Sequence, residues 1–226
     1  MLTDFISLVY PETCYLCLKK LSKLQPNPCL KCQRELPVTN FHLEPENPIQ
    51  KLFFSKIAVH SSTAYYYFTK GGLVQQLIHS VKYKNQKELG VFIGTLFGNE
   101  LIQSTYFNDV EYILPVPLHP NKLIQRGYNQ SECIAMGISK SMNIPVKTNW
   151  LYRKEHQDSQ TRKSHFDRWV NVSSVFEVQK HEIKGTRFLL VDDVITTGST
   201  IESCVQAILN AYPEAKVSVA ALAHTV

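Results

Sequence analysis

Residues 188–201 read FLLVDDVITTGSTI, and this stretch decides the fold class. Four apolar residues in succession suit a parallel strand covered on both faces, which favours continuous rather than alternating hydrophobicity. Asp192 and Asp193 then fall at its carboxyl end. Beyond them Ile201, Cys204, Val205, Ile208, Leu209 and Tyr212 recur at helical spacing as far as Pro213, so Thr196-Thr197-Gly198-Ser199-Thr200 opens an amphipathic helix. A helix N-terminus after a strand offers free amides and the positive end of its dipole to a phosphate; the hydroxyls add donors, and Gly198 permits close backbone approach. The paired aspartates cannot serve the same phosphate. They suit a vicinal diol, which donates hydrogen bonds to carboxylates, or a magnesium ion held partly through water. No G-x-x-x-x-G-K-[ST] run occurs, so a nucleoside triphosphatase loop has no support.

The other end of the chain carries Cys14-x-x-Cys17 and Cys29-x-x-Cys32, four of its six cysteines. Tetrahedral zinc takes four thiolates, and a two-residue gap lets both sulfurs of a turn face one ion. Disulfide pairing is the competing explanation. Without an apolar signal-like segment before them, a reducing cytoplasm and a metal are the expectation. A closed four-thiolate shell has a structural role, since it leaves no position for substrate, and the metal would supply folding energy that so small a module lacks. Cys133 and Cys204 fall on apolar helix faces and read as packing residues.

With 226 residues and 44% hydrophobic content, the chain accommodates one α/β domain and the small metal module. The expected division is residues 1–48 for zinc module and linker and 49–226 for the larger domain. Residues 37–48 hold three prolines, two glutamates and two asparagines and read as a linker or an extended arm. No apolar run is long enough to cross a bilayer, so no membrane insertion is expected. The net charge of +5 is compatible with anionic ligands and too small to establish nucleic-acid binding. Strands are predicted at 64–68, 112–116, 147–151, 175–178, 187–191 and 217–223, and helices at 74–81, 89–102 and 130–142. Together they imply a parallel sheet flanked by helices. The tyrosines at 65–67 suit a half-buried strand and receive no function.

The segment after the strand at 112–116 is read as a loop, PVPLHP followed by Lys122 and RGYNQSE, with Asn129 and Glu132 capping the next helix. Loops at the carboxyl ends of parallel strands are where open α/β sheets bind ligands, and the Arg126 guanidinium offers a planar fork for pyrophosphate oxygens. Leu118, His119, Lys122 and Arg126 are therefore candidates, joined by Lys82 at a basic helix end. A further stretch, 156–169, interleaves Arg162, Lys163 and Arg168 with Phe166 and Trp169, a composition suited to stacking single-stranded DNA or to closing over a site.

VDDVITTGST resembles the phosphoribosyl diphosphate (PRPP) signature of type I phosphoribosyltransferases. Together with the four-cysteine knuckle and the PVPLHP and RGYNQSE segments, the chain resembles the ComF family of competence proteins over essentially its whole length. The resemblance implies a type I phosphoribosyltransferase-like fold, PRPP as ligand with magnesium, structural zinc, and a part in DNA uptake alongside other uptake proteins. It assigns Asp192 and Asp193 to the ribose hydroxyls and Thr196, Thr197, Gly198, Ser199 and Thr200 to the 5-phosphate. Catalysis would rest on Asp192, Asp193 and Arg126. The glutamine and Arg-x-x-Asn typical of the family match Gln160, Arg168 and Asn171 more loosely. Two functions follow as expectations: transfer of phosphoribose to a nucleophile the sequence does not identify, or a non-catalytic PRPP-sensing module that binds single-stranded DNA.

Overall fold

The computed structural model describes residues 12–22, 26–83, 86–154, 175–183 and 185–225. Within them the order is α1 (Leu30–Glu35), a 3-10 turn (Phe41–Leu43), α2 (Pro48–Phe53), β1 (Ser62–Phe68), α3 (Leu73–Tyr83), α4 (Lys87–Ile102), β2 (Tyr112–Pro115), α5 (Pro120–Arg126), α6 (Gln130–Met142), β3 (Leu151–Arg153), β4 (Phe176–Val178), β5 (Arg187–Ile195), α7 (Ser199–Ala211) and β6 (Lys216–Thr225).

β1, β6, β5 and β2 form a parallel sheet in that order. The apolar run of β5 explains its central place. Leu189 and Val191 pack into the cluster under α3, α4 and α6, whereas Phe188 and Leu190 pack into the one under α2 and α7. Each fully buried side chain of this kind contributes about 1.5–3 kcal/mol. In α3, Val74, Leu77, Ile78 and Val81 are all buried, the i, i+3, i+4, i+7 stripe of a helix lying on a sheet. Tyr65 and Tyr66 are core residues; Tyr65 stacks on Phe97 with centroids 4.8 Å apart. No described helix is long and apolar enough to cross a membrane.

Residues 37–48 are an arm on the outer edge of β1. Val38 pairs antiparallel with Tyr66, and the Tyr67 amide donates to the Pro37 carbonyl at 3.0 Å. Asn47 ends the arm: its Oδ1 accepts from the amides of Ile49 and Gln50 at 3.0 and 3.1 Å, capping α2 with Pro48 at the first helical position. The arm covers an otherwise open sheet edge.

Four expectations are corrected. Residues 147–150 are not strand: after an isolated Ile113–Val146 bridge the chain turns, and Trp150 packs on Tyr112 and His181 with ring centroids 5.0 and 4.7 Å away. The strand begins only at Leu151, and β3 and β4 form a separate antiparallel pair instead of joining the sheet. Residues 120–126, read as loop, are the helix α5, and β5 continues through both aspartates to Ile195.

Candidate functional site

β5 delivers Asp192 and Asp193 to the carboxyl edge of the sheet, where the first turn of α6 meets them. Gln130 Nε2 donates to Asp193 Oδ2 at 2.7 Å, and Ser131 Oγ donates to Asp192 Oδ1 at 3.1 Å. The Asp193 amide donates to the same Asp192 oxygen at 2.8 Å. From α3, Lys82 Nζ reaches Asp193 Oδ2 at 2.8 Å. These contacts engage one oxygen of each carboxylate, Asp193 Oδ2 and Asp192 Oδ1. α6 is held in place by Asn129, whose Oδ1 accepts from the Ser131 amide at 3.1 Å while its Nδ2 donates to the Val116 carbonyl at 2.9 Å.

Burial, and then the adjacent Asp193 charge, push the Asp192 carboxyl up to about 7, against the pull of the Asp193 amide, the Ser131 hydroxyl and Lys82. The folded protein thus holds a proton on Asp192 at pH values where the unfolded chain has lost it. Over the window from about 4 to about 7 this group makes stability fall as pH rises. Asp192→Asn removes that contribution. The variant should melt above the wild type at pH 8 and close to it at pH 4, measured by thermal denaturation without ligand; equal melting curves at both pH values would contradict the assignment.

After Ile195 the chain turns through exposed Thr196 and Thr197 and buried Gly198 into α7, whose first residues Ser199 and Thr200 are exposed. Gly198 has φ 83°, and a Cβ there would lie 2.9 Å from Phe53 Cε1, so α2 supports the turn from beneath. The hydroxyls of Thr197 and Ser199 are 3.2 Å apart. The helix N-terminus and four hydroxyl side chains therefore stand directly beyond the carboxylates.

Arg126, at the end of α5, lies with its guanidinium 5.0 Å from the Tyr83 ring centroid, and its NH2 group contacts the Tyr83 hydroxyl at 3.3 Å. It thereby adjoins Lys82. His119 caps α5, accepting from the Asn121 amide through Nδ1 at 3.2 Å, and Lys122 is exposed on the same helix. Neither contacts the aspartates. Leu118 lines a cavity of about 470 Å3 with Asn129, Glu132, Tyr152 and Arg153. Arg162, Lys163, Phe166, Arg168 and Trp169, with Gln160 and Asn171, lie outside the described residues.

Sequence reasoning treated Gln130 and Ser131 as part of a capping segment and missed their hold on the aspartates. Their local pattern signals only the start of a helix; the contact depends on the sheet order that brings α6 to β5.

The cysteine cluster lies on the flank of α3. The sulfurs of Cys14, Cys17, Cys29 and Cys32 all fall within 4.8 Å of one another, and the Cys14–Cys32 and Cys17–Cys29 pairs are each 3.8 Å apart. Bonds of about 2.3 Å to a tetrahedral zinc place sulfurs about 3.8 Å apart, whereas a disulfide needs about 2.05 Å. Burial works against the Cys14 thiolate, yet the amides of Cys17, Cys29 and Leu16 turned toward its sulfur bring it down to about 6. The donor set fits a four-thiolate metal.

Residues 130–225 match the family model for the phosphoribosyl transferase domain. Competence protein F of Haemophilus influenzae is 41% identical over 93 residues, which span 40% of this chain and 41% of that protein. Competence protein ComFC of Bacillus subtilis is 22% identical over 208 residues, covering 92% of this chain and 82% of that protein. The chain is similar to the competence proteins F and ComFC. It is also 25% identical over 218 residues to the DNA utilization protein YhgH of Shigella flexneri, covering 89% of this chain and 92% of that one. Among solved structures, the glutamine PRPP amidotransferase of B. subtilis, complexed with ADP and GMP, is 18% identical with a TM-score of 0.42, covering 64% of this chain and 30% of that one.

Proposed function

We propose that this chain binds PRPP with its magnesium at the carboxyl end of β5, and that it acts in the cytoplasm on DNA taken up during natural competence. The observation that carries the reading is the carboxylate pair, each member gripped by α6 through one oxygen and followed at once by the α7 N-terminus. The free oxygens of Asp192 and Asp193 accept the ribose hydroxyls. Thr196, Thr197, Gly198, Ser199 and Thr200 take the 5-phosphate through amides and hydroxyls. Lys82 and Arg126, with the Leu118, His119 and Lys122 segment, face the diphosphate. Magnesium, bound with the ligand, supplies charge neutralisation of the leaving group. Transfer would break the C1–O bond, releasing diphosphate, and form a bond from C1 to the incoming nucleophile through an oxocarbenium-like transition state, promoted by positioning and by charge stabilisation. Zinc on Cys14, Cys17, Cys29 and Cys32 holds the amino-terminal module, residues 1–48, beside the transferase-like domain, 49–226. The relatives named for competence and DNA utilization support the biological setting.

An exposed row beside the site favours a second reading. The exposed rings of His79 and Tyr83 lie tilted with centroids 4.9 Å apart, and Arg126 covers Tyr83, the mixture of rings and cation that single-stranded DNA uses. In that reading PRPP is sensed and not consumed.

Calorimetric titration of metal-loaded protein with magnesium PRPP tests both. The Asp192→Ala, Asp193→Ala double variant should lose roughly 100-fold or more in affinity, as expected when charged hydrogen-bond acceptors worth about 1.5–3 kcal/mol each are removed. PRPP recovered intact in the presence of candidate acceptors and DNA would favour sensing. Folded wild-type protein that binds no PRPP would remove the proposal.

A further inference from the structure

Gln130 is 4% exposed and carries two hydrogen-bonding groups, of which the fold uses one. Its Nε2 holds Asp193 Oδ2 at 2.7 Å, while its Oε1 is buried with no hydrogen-bond partner among the described residues. A buried carbonyl oxygen without a donor is unfavourable, and a methionine of similar volume would fill the same space without that loss. The amide's gain from its one bond is thus largely offset by its partnerless oxygen, so stability alone does not account for it. Asp193 does.

Lys82 already neutralises the same oxygen, but the two donors differ in kind. Lys82 is 21% exposed on a flexible four-carbon stem, and an arriving diphosphate competes for its ammonium group. Gln130 is planar, buried and fixed at the start of a helix, so its donation persists when Lys82 turns to the ligand. Ser131 makes the matching contact to Asp192 at 3.1 Å, so each carboxylate is oriented from a neighbouring α6 position.

We propose that Gln130 is a positioning residue for the sugar clasp: by fixing Oδ2 of Asp193 it turns Oδ1 toward a ring hydroxyl, and so makes the site select ribosyl over 2-deoxyribosyl phosphates. The inference rests on the reading of the site as a PRPP site.

The test is equilibrium binding of magnesium PRPP, ribose 5-phosphate and 2-deoxyribose 5-phosphate to the metal-loaded full chain, in wild type, Gln130→Met, Asp193→Asn and the double variant. The wild type should prefer ribose 5-phosphate over its 2-deoxy analogue by roughly tenfold or more, the value of one hydrogen bond to a charged group. Gln130→Met should melt close to the wild-type temperature, because loss of the bond to Asp193 is offset by relief of the partnerless oxygen, lose roughly tenfold in PRPP affinity and bring the ribose-to-deoxyribose ratio close to one. Adding it to Asp193→Asn should change nothing further, because its effect passes through that carboxylate. Wild-type affinities and ratio in Gln130→Met would overturn this inference alone. So would equal losses for both sugars together with a lower melting temperature, the mark of a merely structural residue. Failure of the wild type to bind PRPP would overturn the inference together with the reading beneath it.

Discussion

Cys32→Ser should abolish metal binding by the four-cysteine cluster and unfold the amino-terminal knuckle, with a loss of stability felt beyond it. Cys14 and Cys32 are 0% and 1% exposed, and their sulfurs sit with those of Cys17 and Cys29 in one cluster. A structural zinc contributes folding free energy on the order of 10 kcal/mol, because no preformed site survives in the unfolded chain. The effect spreads because the knuckle is not a free appendage. Leu16, Leu21 and Leu36 belong to the same buried cluster as Val74, Leu77 and Ile78 of α3, so melting it removes part of that cluster's packing. The same helix ends in Lys82, which pairs with Asp193. If only a few kcal/mol of the metal's contribution reaches the larger domain, its melting temperature still falls by roughly 10 °C, at about 2–4 °C per kcal/mol for a chain of this size. The measurement is metal content by mass spectrometry with thermal melting, on wild type with and without chelator and on the variant. About one zinc per wild-type chain and almost none in the variant is the expected result for a four-thiolate site. A variant that keeps its metal, or melts with the wild type, would show that the cluster does not act as proposed.

The carboxyl edge of the sheet was legible where chemistry and periodicity coincide in one segment. Phe188 to Val191 announce a doubly covered strand, the two aspartates break it with charge, and Ile201 to Tyr212 restart at helical spacing, so β5, its turn and α7 follow from local pattern. α5 was hidden for the opposite reason. None of its residues is buried, so it carries no apolar stripe, and Pro120 after Pro115 and Pro117 reads as loop although proline is favoured at a first helical position. The error at residues 147–150 came from tertiary contact: Trp150 packs against Tyr112 and stacks on His181 instead of alternating along a strand. The grip of Lys82, Gln130 and Ser131 on the aspartates was invisible because it joins three elements distant in sequence. Only the sheet order, which sets β2 beside β5, brings the start of α6 to the end of β5.

That dependence of the site on α6 yields the second large effect. Gly137→Val should destabilise the protein by on the order of 3 kcal/mol or more, at or beyond the upper end for overpacked cores, and should weaken PRPP binding as well. α4 and α6 approach closely enough for backbone to touch backbone. A Cβ on Gly137 would lie 2.1 Å from the Val91 carbonyl oxygen, 2.7 Å from the Thr95 nitrogen and 2.8 Å from the Gly94 carbonyl carbon. A Cβ on Gly94 would meet the Ile134 carbonyl oxygen at 2.2 Å from the other side. None of these atoms can rotate out of the way as a flexible side chain would, so the helices must separate. A valine would gain a few tenths of a kcal/mol or more over glycine in helix propensity, which offsets only a small part of that cost. Separation moves the first turn of α6, and with it Gln130 and Ser131, relative to β5. Gly127→Asn is the control. Gly127 has φ 75° with no atom within 4 Å of its missing Cβ, a left-handed position that asparagine tolerates, so that variant should cost under about 1 kcal/mol. Chemical denaturation separates the two, with a much lower midpoint for Gly137→Val than for Gly127→Asn, and titration with magnesium PRPP should show reduced affinity only in the former. Equal midpoints would mean that the helices part without strain; a destabilised Gly137→Val with intact affinity would mean that α6 does not set the geometry of the aspartates.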